Sequence, residues 1–389
     1  MRRLAAFASI LSGALAASLF VLPDEAGAIP AFARRYQFSC TTCHAPFPRL
    51  KPYGEEFAAR GFRLEDPSQE PSRAEYDVGD PLLRLVRDLP LAMRLEGYGS
   101  WTEDAQAEGD FETPWVWKIL SGGPLSDKVS YYLYFILEKN ETENLEDAYL
   151  QVNDLFGSGV DLLFGQFQVS DPLFKRELRL ERTDYLIYRT RVGASSVDLT
   201  YDRGILLGTT LPGEVDASLQ VVNGNGIPSG EFDNDDHKDV ALRLSRSWGA
   251  VRVGAFGYLG KEEDEAGVEN ETTYWGPDVT LAAGERWELN LQYLRREDDD
   301  PFFVTRRLEE LSTDGGFAEL HFFPAGQDGR WAVSGLYNRV ESDERSLDAE
   351  DLAIALNYLL ARNVRVLTEA GRDLEADRSR VSVGLVAAF

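Results

Sequence analysis

After residue 90, apolar and polar positions alternate one by one along most of the chain. Trp287, Leu289, Leu291 and Tyr293 are separated by Glu288, Asn290 and Gln292. Successive side chains of a β-strand point to opposite faces, so this run has an apolar face with an aromatic at each end and a polar face behind it. Leu352, Ile354, Leu356, Tyr358 and Leu360 alternate in the same way with Ala353, Ala355, Asn357 and Leu359. So do Val240, Leu242 and Leu244 with Ala241, Arg243 and Ser245, and Val251, Val253 and Ala255 with Arg252, Gly254 and Phe256. The last run, Val381, Val383, Leu385, Ala387 and Phe389, ends on an aromatic. Strands that are apolar outside, polar inside and capped by aromatics are the signature of a transmembrane β-barrel. A soluble β-sandwich also alternates, but roughly 300 residues of such strands with long polar loops exceed what one closed soluble core needs.

The connections sort into two kinds. Short turns at 156–159, 249 and 284–285 alternate with long acidic stretches at 103–112, 138–146, 223–236, 261–271, 297–314 and 341–351. Barrels of this kind carry short periplasmic turns and long external loops, with both termini periplasmic. The segments between Pro90 and Phe389 number about sixteen, an even count of the kind bacterial single-chain barrels use. The stretch 169–203 does not follow the alternation. The expected fold is therefore all-β: an outer-membrane β-barrel of about sixteen antiparallel strands over residues 81–389. A small segment, 29–80, precedes it, with one short helix around Phe57 closed by Gly61.

Composition narrows the partners. The chain has 66 acidic against 40 basic residues, a net charge of −26 and 11% aromatics, which excludes nucleic acid as a natural partner. Arg2 and Arg3, the apolar stretch from Leu4 to Leu22 and the small residues Ala26-Gly27-Ala28 read as a secretory signal peptide over residues 1–28, with the mature chain beginning at Ile29. Beyond it, no apolar run is long enough to span a bilayer as a helix.

The candidate chemistry sits in Cys40-Thr41-Thr42-Cys43-His44, which holds both cysteines of the chain. A zinc site would need two more ligands, and the other histidines, His237 and His321, are distant in sequence. A redox dithiol would sit between a strand and a helix, whereas Pro46, Pro48 and Pro52 crowd the downstream side. A disulfide across two residues would be strained. The motif reads best as the attachment site of one covalent heme c, with Cys40 and Cys43 bound to its vinyl groups and His44 as proximal iron ligand. A covalent haem would also supply the buried apolar mass that so short a segment lacks. Phe38, Phe47, Tyr53, Phe57 and Phe62 are candidates to pack on the porphyrin, and Arg34, Arg35, Arg49 or Lys51 to meet its propionates.

Strand parity addresses the sixth ligand. Met93 shares a face with Leu89, Leu91 and Leu95 and so points to lipid, whereas Ala318, Leu320 and Phe322 turn His321 inward beside Glu319. His321 near the periplasmic mouth is the candidate sixth ligand, against the alternatives of an ordinary lumen histidine or an open site. His237, in an acidic external loop, reads as a solvated residue. Lys175, Arg176, Arg179 and Arg182 form the one basic cluster, where a porin loop often folds inward, and could meet anions or propionates.

The run Ile29-Pro30-Ala31-Phe32-Ala33-Arg34-Arg35-Tyr36-Gln37-Phe38-Ser39 leading into the Cys40–His44 motif, followed by Pro48-Arg49-Leu50, Tyr53-Gly54-Glu55-Glu56-Phe57 and Gly61-Phe62, resembles the N-terminal region of fused cytochrome and porin proteins of the outer membrane, of which the outer-membrane cytochromes c of iron-oxidising bacteria are the best understood. The resemblance spans residues 29–63 and over the barrel is one of architecture. It implies a monohaem segment at the barrel that passes electrons between an extracellular donor such as Fe(II) and periplasmic carriers such as a soluble cytochrome c. Such a protein makes no bond to its substrate. The alternative from another class is a passive porin with a haem-bearing plug or redox-sensing segment. The acidic loops, Asp298-Asp299-Asp300 among them, would raise the local cation concentration, though charged outer loops chiefly keep a surface barrel soluble.

Overall fold

The computed structural model describes residues 31–71, 75–76, 78–80, 82–83, 85–86, 90–138, 143–170, 174–227, 232–233, 235–304 and 310–389. The signal-peptide reading of residues 1–28 lies outside the described residues. Two short strands, β1 (Glu75–Tyr76) and β2 (Leu85–Val86), pair with each other. Sixteen further strands close into one antiparallel barrel in which every strand pairs with its chain neighbours. They are β3 (Leu91–Thr102), β4 (Gly109–Pro124), β5 (Val129–Glu138), β6 (Glu143–Val152), β7 (Asp161–Gln168), β8 (Tyr201–Leu211), β9 (Val215–Val222) and β10 (Asp239–Trp248). The ring continues through β11 (Val251–Glu263), β12 (Glu269–Ala283), β13 (Trp287–Asp298), β14 (Leu311–Phe322), β15 (Trp331–Ser342), β16 (Ala349–Ala361), β17 (Val364–Asp373) and β18 (Arg378–Ala388).

The seam lies between β18 and β3, with Val383 opposite Gly99. Phe389 ends it, its N–H donating to Met93 O at 2.8 Å and its carbonyl accepting from Met93 N at 2.6 Å. Closure leaves the barrel no edge strand, which removes the unpaired backbone groups that a bilayer cannot satisfy.

The faces follow the alternation residue by residue. Val240, Leu242 and Leu244 are exposed while Ala241, Arg243 and Ser245 are buried, and Leu352, Ile354 and Leu356 are exposed against buried Ala353, Ala355 and Asn357. The outward side is an apolar belt with Trp287 stacked on Phe322 at 4.2 Å and Trp331 beside Tyr358 at 4.4 Å near one rim. Among the described residues, no helix is long and apolar enough to cross a membrane.

Connections at one end are short: 125–128, 153–160, 212–214, 249–250, 284–286, 323–330 and 362–363. The other end carries 169–200, 223–238 and 299–310. The acidic stretch expected as a loop over 261–271 is mostly strand, because β11 and β12 extend their ladder to Glu263 and Glu269, leaving a tight turn. Charged side chains are tolerated there because the hairpin stands beyond the apolar belt.

The stretch that resists alternation, 169–200, folds into the barrel. It carries a short helix, Leu186–Arg189. Phe174, Tyr185, Ile187, Tyr188, Val197 and Leu199 from this loop pack against inward-facing Phe256, Tyr258, Tyr274, Leu294, Phe317, Leu336 and Val340. The inner face is thus apolar at this level rather than uniformly polar as expected for a lumen, because the loop supplies partners that replace water. Arg296, fully buried, ties the loop down by donating to Val197 O at 2.9 Å and Ser195 Oγ at 3.0 Å. Its own charge is met by Asp298 at 2.6 Å.

Candidate functional site

The N-terminal segment is more helical than its proline content suggests. Helix α1 spans Ala31–Tyr36, α2 is the single turn Cys40–Cys43, and α3 spans Pro52–Ala59. Ser39 caps α2, its Oγ accepting from Thr41 N at 3.4 Å, and His44 N donates to Cys40 O at 2.9 Å. Helix α3 ends as the sequence predicts at Gly61, which has a φ of +66°. Gly61 N donates to Ala58 O and Phe62 N to Phe57 O, both at 2.9 Å, the paired bonds of a Schellman C-cap. Gly54 lets α3 lie against α2, since a Cβ there would overlap the Cys43 carbonyl oxygen.

Tyr36, Phe57 and Phe62 form a buried cluster with Phe32, Phe38, Tyr53 and Cys43 packed on it. Four of the five aromatics singled out from the sequence therefore gather beside the motif. Phe47 does not. It enters the barrel and packs with Tyr98, Ala355, Leu359, Leu367 and Val386. Ala45 likewise packs with Leu180, Phe323 and Ala332. The chain immediately after His44 is thus a plug in the short-turn end of the lumen.

Polar contacts hold the plug. Arg49 pairs with Glu288 and lies 3.6 Å from Glu319, both on the inner wall. Lys51 pairs with Asp328 and donates to Thr41 O at 2.6 Å. Asn153 Nδ2 donates to Ala59 O at 3.2 Å. Arg49 and Lys51, candidates for propionates, are committed to carboxylates. The basic cluster is paired in the same way: Lys175 with Asp147 at 3.3 Å, Arg176 and Arg179 with Asp184 at 2.6 and 2.5 Å, and Arg182 with Glu112.

The motif itself fits a covalent haem. Neither cysteine is in a disulfide, and both are half-buried. Burial pushes the Cys43 thiol up to about 11 and raises that of Cys40. Burial thus disfavours the thiolate form at both positions. Burial also lowers the pKa of His44, keeping the imidazole neutral, as a metal ligand must be. His44 Nδ1 lies 3.1 Å from Pro48 O and 3.3 Å from Arg49 O. Donation of Nδ1–H to these carbonyls fixes the ring and leaves the lone pair on Nε2, available to a metal.

His321 is fully buried and inward, at the plugged end of β14, as parity predicts. Its Nδ1 is 2.8 Å from Ser334 Oγ and its Nε2 2.9 Å from Glu319 Oε2. Glu181, from the inward loop, completes a buried group in which one ligand atom from each of Glu181, Glu319 and His321 lies within 4.8 Å of the others. Glu181 and Ser334 were invisible to sequence reasoning, Glu181 because it sits in the stretch without periodicity. Met93 lies between outward Leu91 and Leu95, away from the lumen. His237 is at the opposite end, 3.7 Å from Glu263 and near Glu269 on partly exposed loop edges.

No protein-family model matches the chain, and no curated protein matches it in sequence. Among solved structures, the chain is similar to the anion-selective porin from Comamonas acidovorans, with 12% identity, a TM-score of 0.58, and coverage of 78% of this chain and 99% of the porin. OmpT of Vibrio cholerae aligns with 12% identity and a TM-score of 0.55 over 78% of this chain and 99% of OmpT. The outer membrane channel DcaP of Acinetobacter baumannii aligns with 12% identity and a TM-score of 0.53 over 78% and 97%. The chain has the sixteen-stranded barrel fold of outer-membrane porins.

Proposed function

We propose that this protein is an outer-membrane electron-transfer cytochrome built on a porin-type barrel. The apolar belt lies in lipid, the short-turn end faces the periplasm, and residues 29–80 form a monohaem segment at that end. The observation that carries this reading is the seating of the Cys40–His44 turn directly before a plug, Ala45 to Arg49, whose side chains are buried in the barrel mouth. Cys40 and Cys43 would hold one heme c and His44 its iron, and the group would supply one-electron exchange between ferric and ferrous states. The chain's own part is to fix the His44 ring through the Pro48 and Arg49 carbonyls and to close the lumen with the plug below and the loop 169–200 above. An extracellular reductant would give electrons on one side and a periplasmic carrier, such as a soluble cytochrome c, receive them on the other.

The neighbours in fold are porins and a channel, which favours a second reading: a porin whose haem-bearing segment is a releasable plug or redox sensor. One experiment separates the two. The purified protein in detergent is followed by visible absorption on adding Fe(II) and then dithionite, and its conductance is measured in planar bilayers. Reduced c-type bands with Fe(II) and a nearly closed barrel support the conduit. Strong conductance supports the porin, and absence of c-type bands, with Cys40→Ala/Cys43→Ala indistinguishable from the parent, removes the haem from both readings.

A further inference from the structure

We infer that Glu181, Glu319 and His321 form a binding site for one divalent transition-metal cation inside the barrel. The inference uses none of the Cys40–His44 residues and assigns His321 to this cation rather than to a haem iron. All three side chains are fully buried. Glu319 is well supplied with donors: Tyr185 Oη at 2.7 Å and Asn290 Nδ2 at 3.0 Å, with Arg49 at 3.6 Å. Glu181 is not. Among the described residues, neither of its carboxylate oxygens accepts a hydrogen bond from another residue, and its ion-pair neighbour is His321 Nδ1 at 3.8 Å. The Arg365 guanidinium, which lies in the same region, donates instead to Leu180 O at 3.1 Å and Asn357 Oδ1 at 2.7 Å. A buried carboxylate without a donor costs several kcal/mol, which either protonation or a bound cation relieves.

The ring geometry points the same way. His321 Nδ1 lies 2.8 Å from Ser334 Oγ and Nε2 lies 2.9 Å from Glu319 Oε2; in the tautomer that donates Nδ1–H to Ser334, Nε2 offers its lone pair on the side of Glu319. A proton on Nε2 bridges the two atoms when the site is empty, and a metal cation that takes both displaces that proton. The separation is also the edge expected between two cis ligands with bonds of about 2.1 Å to a divalent metal. One imidazole nitrogen and two carboxylates, on β14 and on the inward loop, suit Mn(II), Fe(II) or Zn(II) better than Mg(II) or Ca(II), which favour oxygen alone. Ser334 acts as the positioning residue that selects the ring tautomer. Docking of loop 169–200 is what completes the site, since the third ligand arrives only with it.

The test is titration of the full, detergent-solubilised protein with Mn(II), following loss of the free-ion six-line EPR signal. One Mn(II) per barrel is expected. Glu181→Gln, isosteric and on a loop, should weaken binding at least tenfold, and Ser334→Ala by about tenfold, the usual effect of removing the hydrogen-bond partner of a ligating histidine. Heat-modifiable mobility on gels confirms that both variants keep the barrel. A free-ion signal undiminished by the parent protein, or Glu181→Gln binding as the parent does, overturns the site. So does a shift of visible haem bands in His321→Gln, which would place that ring on a haem iron. Absence of haem from the parent protein would leave the Mn(II) result unaffected.

Discussion

Replacing Arg49 by methionine keeps the length of the side chain and removes its charge from between Glu288 and Glu319. Arg49 and Glu288 are 9% and 15% exposed at their side chains, so water replaces little of what is lost. Deleting one partner of a buried ion pair costs about 3–5 kcal/mol. The lower figure applies here, because Glu288 keeps Asn290 at 3.1 Å and Glu319 keeps Tyr185 and Asn290. About 3 kcal/mol is a factor of roughly a hundred in the ratio of docked to undocked plug. The remaining polar anchors are weak: Asp328, the partner of Lys51, is 70% exposed, surface pairs of that kind contribute about 0–1 kcal/mol, and Asn153 adds a neutral hydrogen bond to Ala59 O. Phe47 becomes the principal anchor. Limited trypsinolysis of the detergent-solubilised protein at Arg60 and Arg63 reads the undocked fraction when opening and closing outpace cleavage. We expect cleavage about a hundredfold faster in Arg49→Met, and a partial return toward the parent in Arg49→Met/Glu288→Gln, which no longer strands a charge at Glu288. If Arg49→Met is cleaved within threefold of the parent while Phe47→Ala is cleaved much faster, the ion pair does not hold the plug and the reasoning fails.

The outward belt makes a positional prediction: Leu356→Arg on β16 should cost about 2–4 kcal/mol and lower the yield of heat-modifiable barrel in the membrane, whereas Ala266→Arg, in the tight turn between β11 and β12, should leave the yield unchanged. Gly54→Ala should push α3 from the Cys43 carbonyl, an overpacking cost of about 1–3 kcal/mol, and reduce covalent haem on denaturing gels while barrel mobility stays normal. Equal haem content in Gly54→Ala and parent would show that the close approach of α3 is not needed for attachment.

The barrel was legible because lipid enforces a rule one residue long. An outward position must be apolar wherever it falls in the strand, so Leu242, Leu352 and Leu385 could be assigned a face from their immediate neighbours alone. The same rule turned His321 and Glu319 inward and Met93 outward. It is silent where contacts are made across the lumen. Loop 169–200 alternates with nothing because its apolar residues answer to Phe317, Leu336 and Tyr258, each more than fifty positions away, and a local period carries no record of them. Phe47 and Phe57 illustrate the same limit within the N-terminal segment. Both are aromatics within fourteen residues of His44, yet one joins the cluster beside Cys43 and the other leaves for the barrel wall.

For the candidate site the consequence is specific. The Cys40–His44 motif can be read locally because the attachment proposed for it would need only five consecutive residues. What the histidine in β14 does is not local. Parity delivers the ring to the lumen, but its partner is chosen by whichever group the inward loop brings down, and that group is Glu181, a residue with no motif of its own. The histidine offered as a candidate sixth ligand lies between Ser334 and a carboxylate pair, within reach of the Arg49 that anchors the plug. The plug and the lumen site thus share Glu319. Any ligand that draws charge from Glu319 must weaken its hold on Arg49, so occupancy of the Glu181–Glu319–His321 site and docking of the plug are thermodynamically linked, and each must alter the other by the same factor.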